Sequence, residues 1–239
     1  MVTGKYLVKS VTCILVLLAS AALAQTNAAP AGNNSASELN AVLTRMDETA
    51  AKFRTTEADF VWDQYAEVVN ETDTQKGKLY FRRAKSGIEM AADITDPAPK
   101  YVLFRDGKVR VYQPGIEQET VYNPGKNKAD FESFLVLGFG GRGHDLEKSF
   151  DLRYLGTEEA QGIKADKLEL VPKSQRMRNT FSQILLWIDP AHGISVQQKF
   201  LEPSGDYRLA KYSNIQVNSK IPDSAFKLKT TGKTRVVSP

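Results

Sequence analysis

The segment Tyr101-Val102-Leu103-Phe104-Arg105-Asp106-Gly107-Lys108-Val109-Arg110-Val111-Tyr112 decides how the rest of the chain is read. Two strand-forming runs flank Asp-Gly, the dipeptide that best supplies the two positive-φ residues of a tight hairpin turn. Upstream, Ile88, Met90, Ala92 and Ile94 fall on one face of a strand, and residues 79–83 form the strand before it. Earlier still, Phe60, Trp62 and Gln64 alternate with Val61, Asp63 and Tyr65. Downstream, residues 119–122 make another strand that stops at Asn123-Pro124-Gly125. Strands resume at 150–155, 164–171, 181–189, 195–202 and 207–217, with turn-forming sequences at 159–162, 190–193 and 203–206. Short strands punctuated this regularly predict an antiparallel sheet curving towards a barrel.

Two stretches depart from that period. Leu39, Val42, Leu43, Met46, Ala50 and Phe53 recur at helical intervals behind Ser35 and Glu38, which have capping-box spacing, with Ser37 as an alternative cap. Residues 130–138 crowd Phe131, Phe134, Leu135 and Leu137 into a segment without alternation that runs into glycines. A short helix is expected there, with a further turn at 145–148. No repeat or low-complexity linker divides the chain, so these pieces belong to one domain.

The N-terminus has the form of a secretory signal peptide. Lys5 and Lys9 precede the apolar run 11–23, and Ala22-Leu23-Ala24 closes it with small residues where a peptidase reads them. Residues 1–24 are expected to be removed before Gln25, exporting the protein; the run is too short to span a ~30 Å hydrocarbon core. Removing 24 of the 239 residues leaves 215, and losing two lysines lowers the formal net charge from +4 to +2. The single cysteine, Cys13, departs with the peptide, which excludes a disulfide scaffold and a lipid-attachment cysteine at Gln25. Residues 25–36 read as a flexible leader.

Chemistry-bearing motifs are sparse. Gly138-Phe139-Gly140-Gly141-Arg142-Gly143 matches G-x-G-x-x-G, but the strand before and the helix after that phosphate cradling requires are missing. His144 and His192 read as exposed loop residues, and Asp59 and Asp63 as carboxylates on a solvated strand edge. No nucleophile, base and orienting group assemble, so no enzyme is expected, nor a cofactor or metal site. Basic residues cluster at Arg82, Arg83 and Lys85 and at Lys173, Arg176 and Arg178, read as charged hairpin tips; the balance is too small for nucleic acid. The informative material is apolar. Phe60, Trp62, Phe81, Ile88, Met90, Leu103, Leu185 and Trp187 come from strands, and Phe134, Leu135, Leu137 and Phe139 from the glycine-hinged segment. Together they read as a curved sheet with an apolar concave face under helices that can open.

Residues 76–118 resemble the LolA family of periplasmic outer-membrane lipoprotein carriers. The matching pieces are Gly77-x-Leu79-Tyr80-Phe81-Arg82-Arg83, Leu103-Phe104-Arg105-Asp106-Gly107-Lys108, Val111-Tyr112-Gln113-Pro114 and Glu117-Gln118. Downstream, Leu168-x-Leu170-x-Pro172-Lys173 is similar to the family's next hairpin, and Ile221-Pro222-Asp223-x-x-Phe226-x-Leu228 to its C-terminal strand. The resemblance implies an α+β fold over residues 37–228, a half-open antiparallel barrel whose N-terminal helix and short helices form a lid over an acyl-chain cavity, followed by a tail at 229–239. It implies a monomeric carrier that receives acylated lipoproteins from an inner-membrane ATP-driven release complex and passes them to an outer-membrane receptor. The family's lid-locking arginine maps onto Arg83, with Arg82 as second choice; the proline that follows it in the family is Ala84 here. Two alternatives share the half-barrel: an envelope-stress sensor, which normally carries a second C-terminal domain, and a carrier for another lipid.

Overall fold

The computed structural model describes residues 31–85, 87–125 and 137–238. The expected signal peptide, the first part of the leader, and Phe131, Phe134 and Leu135 of the expected short helix lie outside them. One sheet of twelve strands dominates the molecule, in the order β12-β6-β5-β4-β3-β2-β1-β11-β10-β9-β8-β7. The strands are β1 (Thr55–Ala66), β2 (Glu71–Ala84), β3 (Gly87–Asp96), β4 (Lys100–Arg105), β5 (Lys108–Gln113) and β6 (Gln118–Tyr122). Further along the chain come β7 (Phe150–Ala160), β8 (Ile163–Pro172), β9 (Gln183–Asp189), β10 (Ile194–Leu201), β11 (Tyr207–Val217) and β12 (Arg235–Val237). Neighbours pair antiparallel except β12, which lies parallel to β6. β7 and β12 end the order unpaired with each other, so the sheet is strongly curved and unclosed.

The hairpin forms as its sequence dictates. Arg105 pairs with Lys108 across a two-residue turn, with Asp106 at φ 51° and Gly107 at φ 71°. Helix α1 (Ala31–Lys52) lies on the inner face of β7–β9, where Val42, Leu43 and Met46 bury against Leu168, Leu170, Ile184, Leu186 and Ile188. A second cluster fills the inner face of β1–β3 and β11 around Phe53, Phe60, Phe81, Phe139 and Tyr212. Two smaller clusters sit on the outer face, one of Ala91, Leu103 and Phe226, the other of Ala160, Ala165, Trp187 and Val196. A four-residue helix, α2 (Gln175–Arg178), spans the β8–β9 connection, capped by Ser174, whose hydroxyl accepts from the Met177 N–H.

Several expectations need correction. α1 starts at Ala31, so the second half of the expected leader is helical, and the Ser35 hydroxyl donates to the Tyr154 carbonyl at 3.5 Å rather than capping. β2 reaches back to Glu71, through polar residues whose backbone pairs with β1 although no apolar alternation marks them. Residues 221–228 form no strand; a 3₁₀ turn at Asp223–Phe226 drives Phe226 into the outer face. β1 is central rather than an edge: Asp59 meets Lys78 and Asn214, and Asp63 meets Thr74 and Lys211. Arg82 and Arg83 lie within β2, not at a hairpin tip.

Candidate functional site

The inner face of the sheet and α2 enclose an open cavity of about 770 Å³. Strand alternation builds it, because every second residue of a strand faces the same side. β1 contributes Phe60 and Trp62, β2 Leu79 and Phe81, β3 Met90, Ala92 and Ile94. The founding hairpin adds Val102, Val109 and Val111, while Met177 and Phe181 come from the β8–β9 connection. Cross-strand register gives the cavity a depth axis. Phe60 opposite Tyr212 marks the deep end, Trp62 opposite Ala210 the middle, and Gln64 opposite Arg208 the mouth.

The deep end is closed by the glycine-rich segment. Phe139 is buried, stacked on Phe81 at 4.8 Å between centroids and edge-on to Tyr212 at 4.8 Å. Its flanking glycines both have φ +74°. A Cβ on Gly138 would lie 2.3 Å from the Ser195 side chain, and one on Gly140 2.5 Å from the Phe53 ring. The glycines therefore permit close packing and a left-handed backbone, not phosphate binding. Polar contacts fix the segment. The Ser195 N–H donates to the Gly138 carbonyl at 2.9 Å. The Gln198 amide donates to the Leu137 carbonyl and accepts from the Tyr212 hydroxyl at 3.1 Å. Burial pushes the Tyr212 phenol far above its ordinary range, so it serves as a neutral donor.

Arg83 joins this segment to the end of α1. Its guanidinium donates to the carbonyls of Ala50 (3.3 Å), Phe53 (3.3 Å) and Gly140 (3.2 Å). A charged donor thus ties together two covering pieces and the strand that carries it. Arg82 points outward instead, to Glu89 and Asp223 at 2.6 Å each and over the Phe226 ring at 4.1 Å. A second tie lies along α1. His144, expected as an exposed loop residue, begins a 3₁₀ turn and engages Asp47 through its backbone N–H (3.3 Å) and Nδ1 (2.7 Å). Burial alone raises the Asp47 carboxyl, but hydrogen bonds from His144 and the charges of His144 and Arg142 outweigh it and hold it below its ordinary value. His192 remains largely exposed, in a turn whose backbone carbonyl accepts from Thr49 of α1 at 2.6 Å.

The expected cavity residues divide. Phe60, Trp62, Phe81 and Met90 line the space. Ile88 shares the face of Met90 but packs deeper, against the cluster around Phe53 and Phe139. Leu103, Leu185 and Trp187 lie on the opposite face: Leu103 under Phe226, and the other two in the outer cluster with Ala165 and Val196. Their strands are apolar on both sides, so alternation could not say which side is inner. Leu137 is buried against α1 and Phe139 closes the deep end, whereas Phe134 and Leu135 fall outside the described residues. Tyr212 and Gln198 were missed. Their signal was the alternation of Gln198 with Phe200, and of Ala210 with Tyr212, on neighbouring strands. Among the described residues no group of three His, Cys, Asp or Glu could hold a metal, and no helix is long and apolar enough to cross a membrane.

An unclosed antiparallel half-barrel, with an apolar concave face covered by a helix and an arginine-tied segment, defines a fold class shared by carriers and binding proteins. The chain belongs to the LolA family: the model described as "Outer membrane lipoprotein carrier protein LolA" matches residues 51–229. Comparison with curated protein sequences gives no match. Among solved structures, MucB is similar with a TM-score of 0.53 and 14% identity, over 83% of this chain and 64% of that one. MucB in complex with MucA(peri) has a TM-score of 0.50 at 16% identity, over 83% and 62%. An uncharacterized conserved protein from Thermus thermophilus has a TM-score of 0.53 at 12% identity, over 84% and 99%. The chain spans just under two thirds of MucB, and at these identities the likeness is one of fold.

Proposed function

We propose that this protein is a periplasmic carrier that shields the acyl chains of lipoproteins between an inner-membrane release complex and an outer-membrane receptor, and that it is not an enzyme. The observation that supports this most is the open apolar cavity of about 770 Å³ whose deep end is closed by a segment held through exchangeable hydrogen bonds. Burying acyl chain contributes ~0.8 kcal/mol per CH₂, so a lipoprotein does not leave a membrane without an equivalent dry surface. Release demands that the surface be less than perfect. A closed empty form stabilised by Arg83 competes with cargo and supplies that imperfection. The export signal at residues 1–24 and the family match at 51–229 fit the same assignment. The deciding experiment incubates the exported form, beginning at Gln25, with membranes bearing a tagged lipoprotein and its release complex. A soluble one-to-one complex is expected, and failure to solubilise any lipoprotein overturns the proposal.

The MucB likeness favours a second reading, a sensor that binds a partner protein, since MucB is described in complex with MucA(peri). That reading predicts capture of the periplasmic part of a membrane-anchored regulator with no lipoprotein solubilised.

A further inference from the structure

The cavity is apolar in its depth, but the charged side chains that line it are all basic. Lys100 at the start of β4, Arg176 on α2 and Arg208 on β11 are the charged residues of the lining, and no acid joins them. Two of the three retain donor capacity. Among the described residues the Lys100 ammonium makes one long hydrogen bond, to the Gln75 amide oxygen at 3.4 Å. Arg208 gives Nη2 to Glu202 at 2.9 Å, yet its Nε is buried with no partner among the described residues. Gln64 and Gln75 add neutral donors to the lining. The nearest acid, Glu202, is the partner of Arg208 and lies outside the lining, as does the exposed Asp73 opposite Gln64. A thioether-linked diacylglycerol group offers these cations only uncharged ester oxygens and a thioether sulfur, a weak acceptor.

We infer that the mouth selects acyl chains bearing an anionic head group, a carboxylate or a phosphate, seated among Lys100, Arg176 and Arg208 with the chain running inward past Trp62 to Phe60. The inference rests on the acyl-binding reading of the cavity and names a ligand class for it. Two sources supply that chemistry, free fatty acids and phospholipids, and paired probes separate them. Oleate is compared with oleyl alcohol, and 1-palmitoyl lysophosphatidylglycerol with 1-monopalmitoylglycerol, by Trp62 fluorescence on the exported form of the protein. The charged member of at least one pair is expected to bind about tenfold tighter or better, with the preference shrinking as salt rises. Preference in the first pair alone assigns a fatty carboxylate, and in the second alone a phospholipid. Combined substitution of Lys100→Gln, Arg176→Gln and Arg208→Gln should bring each ratio close to one while leaving the uncharged probe bound. Lys100→Gln alone, at a half-buried position, gives a partial fall should the triple variant not fold. Equal affinity within both pairs overturns the head-group inference and leaves the acyl cavity standing. Binding of no probe overturns both.

Discussion

Trp62 and Trp187 sit on opposite faces of the same sheet, and that difference is measurable one residue at a time. Trp62 lines the cavity and is 38% exposed, whereas Trp187 is 3% exposed in the outer cluster with the Lys167 ammonium 4.8 Å from its ring centroid. An acyl probe should therefore blue-shift the emission of Trp187→Phe, in which Trp62 remains, and leave that of Trp62→Phe unchanged. The reverse pattern would place the ligand on the outer face. Tyr212 makes a second residue-scale test. Its hydroxyl is the donor seen for the buried Gln198 carbonyl oxygen, and Gln198 in turn holds the Leu137 carbonyl. Tyr212→Phe leaves that oxygen unpaired and should cost about 1–3 kcal/mol, read as a lower urea midpoint at unchanged slope.

The elements explain which parts of this molecule could be read in advance. The β4–β5 hairpin was legible because Asp106-Gly107 imposes its turn and register locally, and α1 because its apolar stripe has a single period. The outer half of β2 was not, since Glu71 to Lys78 gain their strand conformation from β1 and carry no alternation of their own. For the cavity the sequence marked the right kind of residue, but Gln183–Asp189 is apolar on both faces, so Leu185 and Trp187 were indistinguishable from Ile184 and Leu186 until the sheet was seen to curve. The Arg83 contacts to Ala50, Phe53 and Gly140 exist only between elements far apart in the chain. On the proposed carrier reading they hold a closed form, so Arg83→Leu should shift the protein towards an open one. A variant that stays folded, loads lipoprotein and hands it on poorly is the expected outcome of a two-step transfer assay; normal hand-over would remove Arg83 from the mechanism. Gly140→Ala attacks the same segment by another route, forcing a Cβ into the Phe53 ring at a left-handed backbone position. A loss of about 1–3 kcal/mol of stability is expected, seen in chemical unfolding.

Across the whole molecule, acid should loosen the cover. Asp47 joins α1 to the 3₁₀ turn, and Glu169, hydrogen-bonded by Arg153 and Gln183, joins three strands; both carboxyls are held below their ordinary values. Such a group takes up protons more readily unfolded than folded. Its contribution is complete above the ordinary carboxylate range and disappears as pH falls through the depressed folded value. The melting temperature should thus be nearly flat from neutrality down to about pH 5 and drop below about pH 4, with Asp47→Asn dropping less over that interval. The open sheet carries a further consequence, at its rims. An unclosed sheet presents two rows of unpaired backbone groups, either of which invites a strand from another copy. One rim is occupied by β12, clamped parallel to β6 with Arg235 donating to the Gln118 side chain at 2.6 Å. The other, β7, is kinked where its register shifts between Tyr154 and Thr157 and carries Glu158 and Glu159 beyond the kink. An open sheet and an unpolymerised protein are therefore reconciled by two short stretches of chain outside the cavity lining, and trimming Arg235–Val237 would be felt first as fibre or ladder formation.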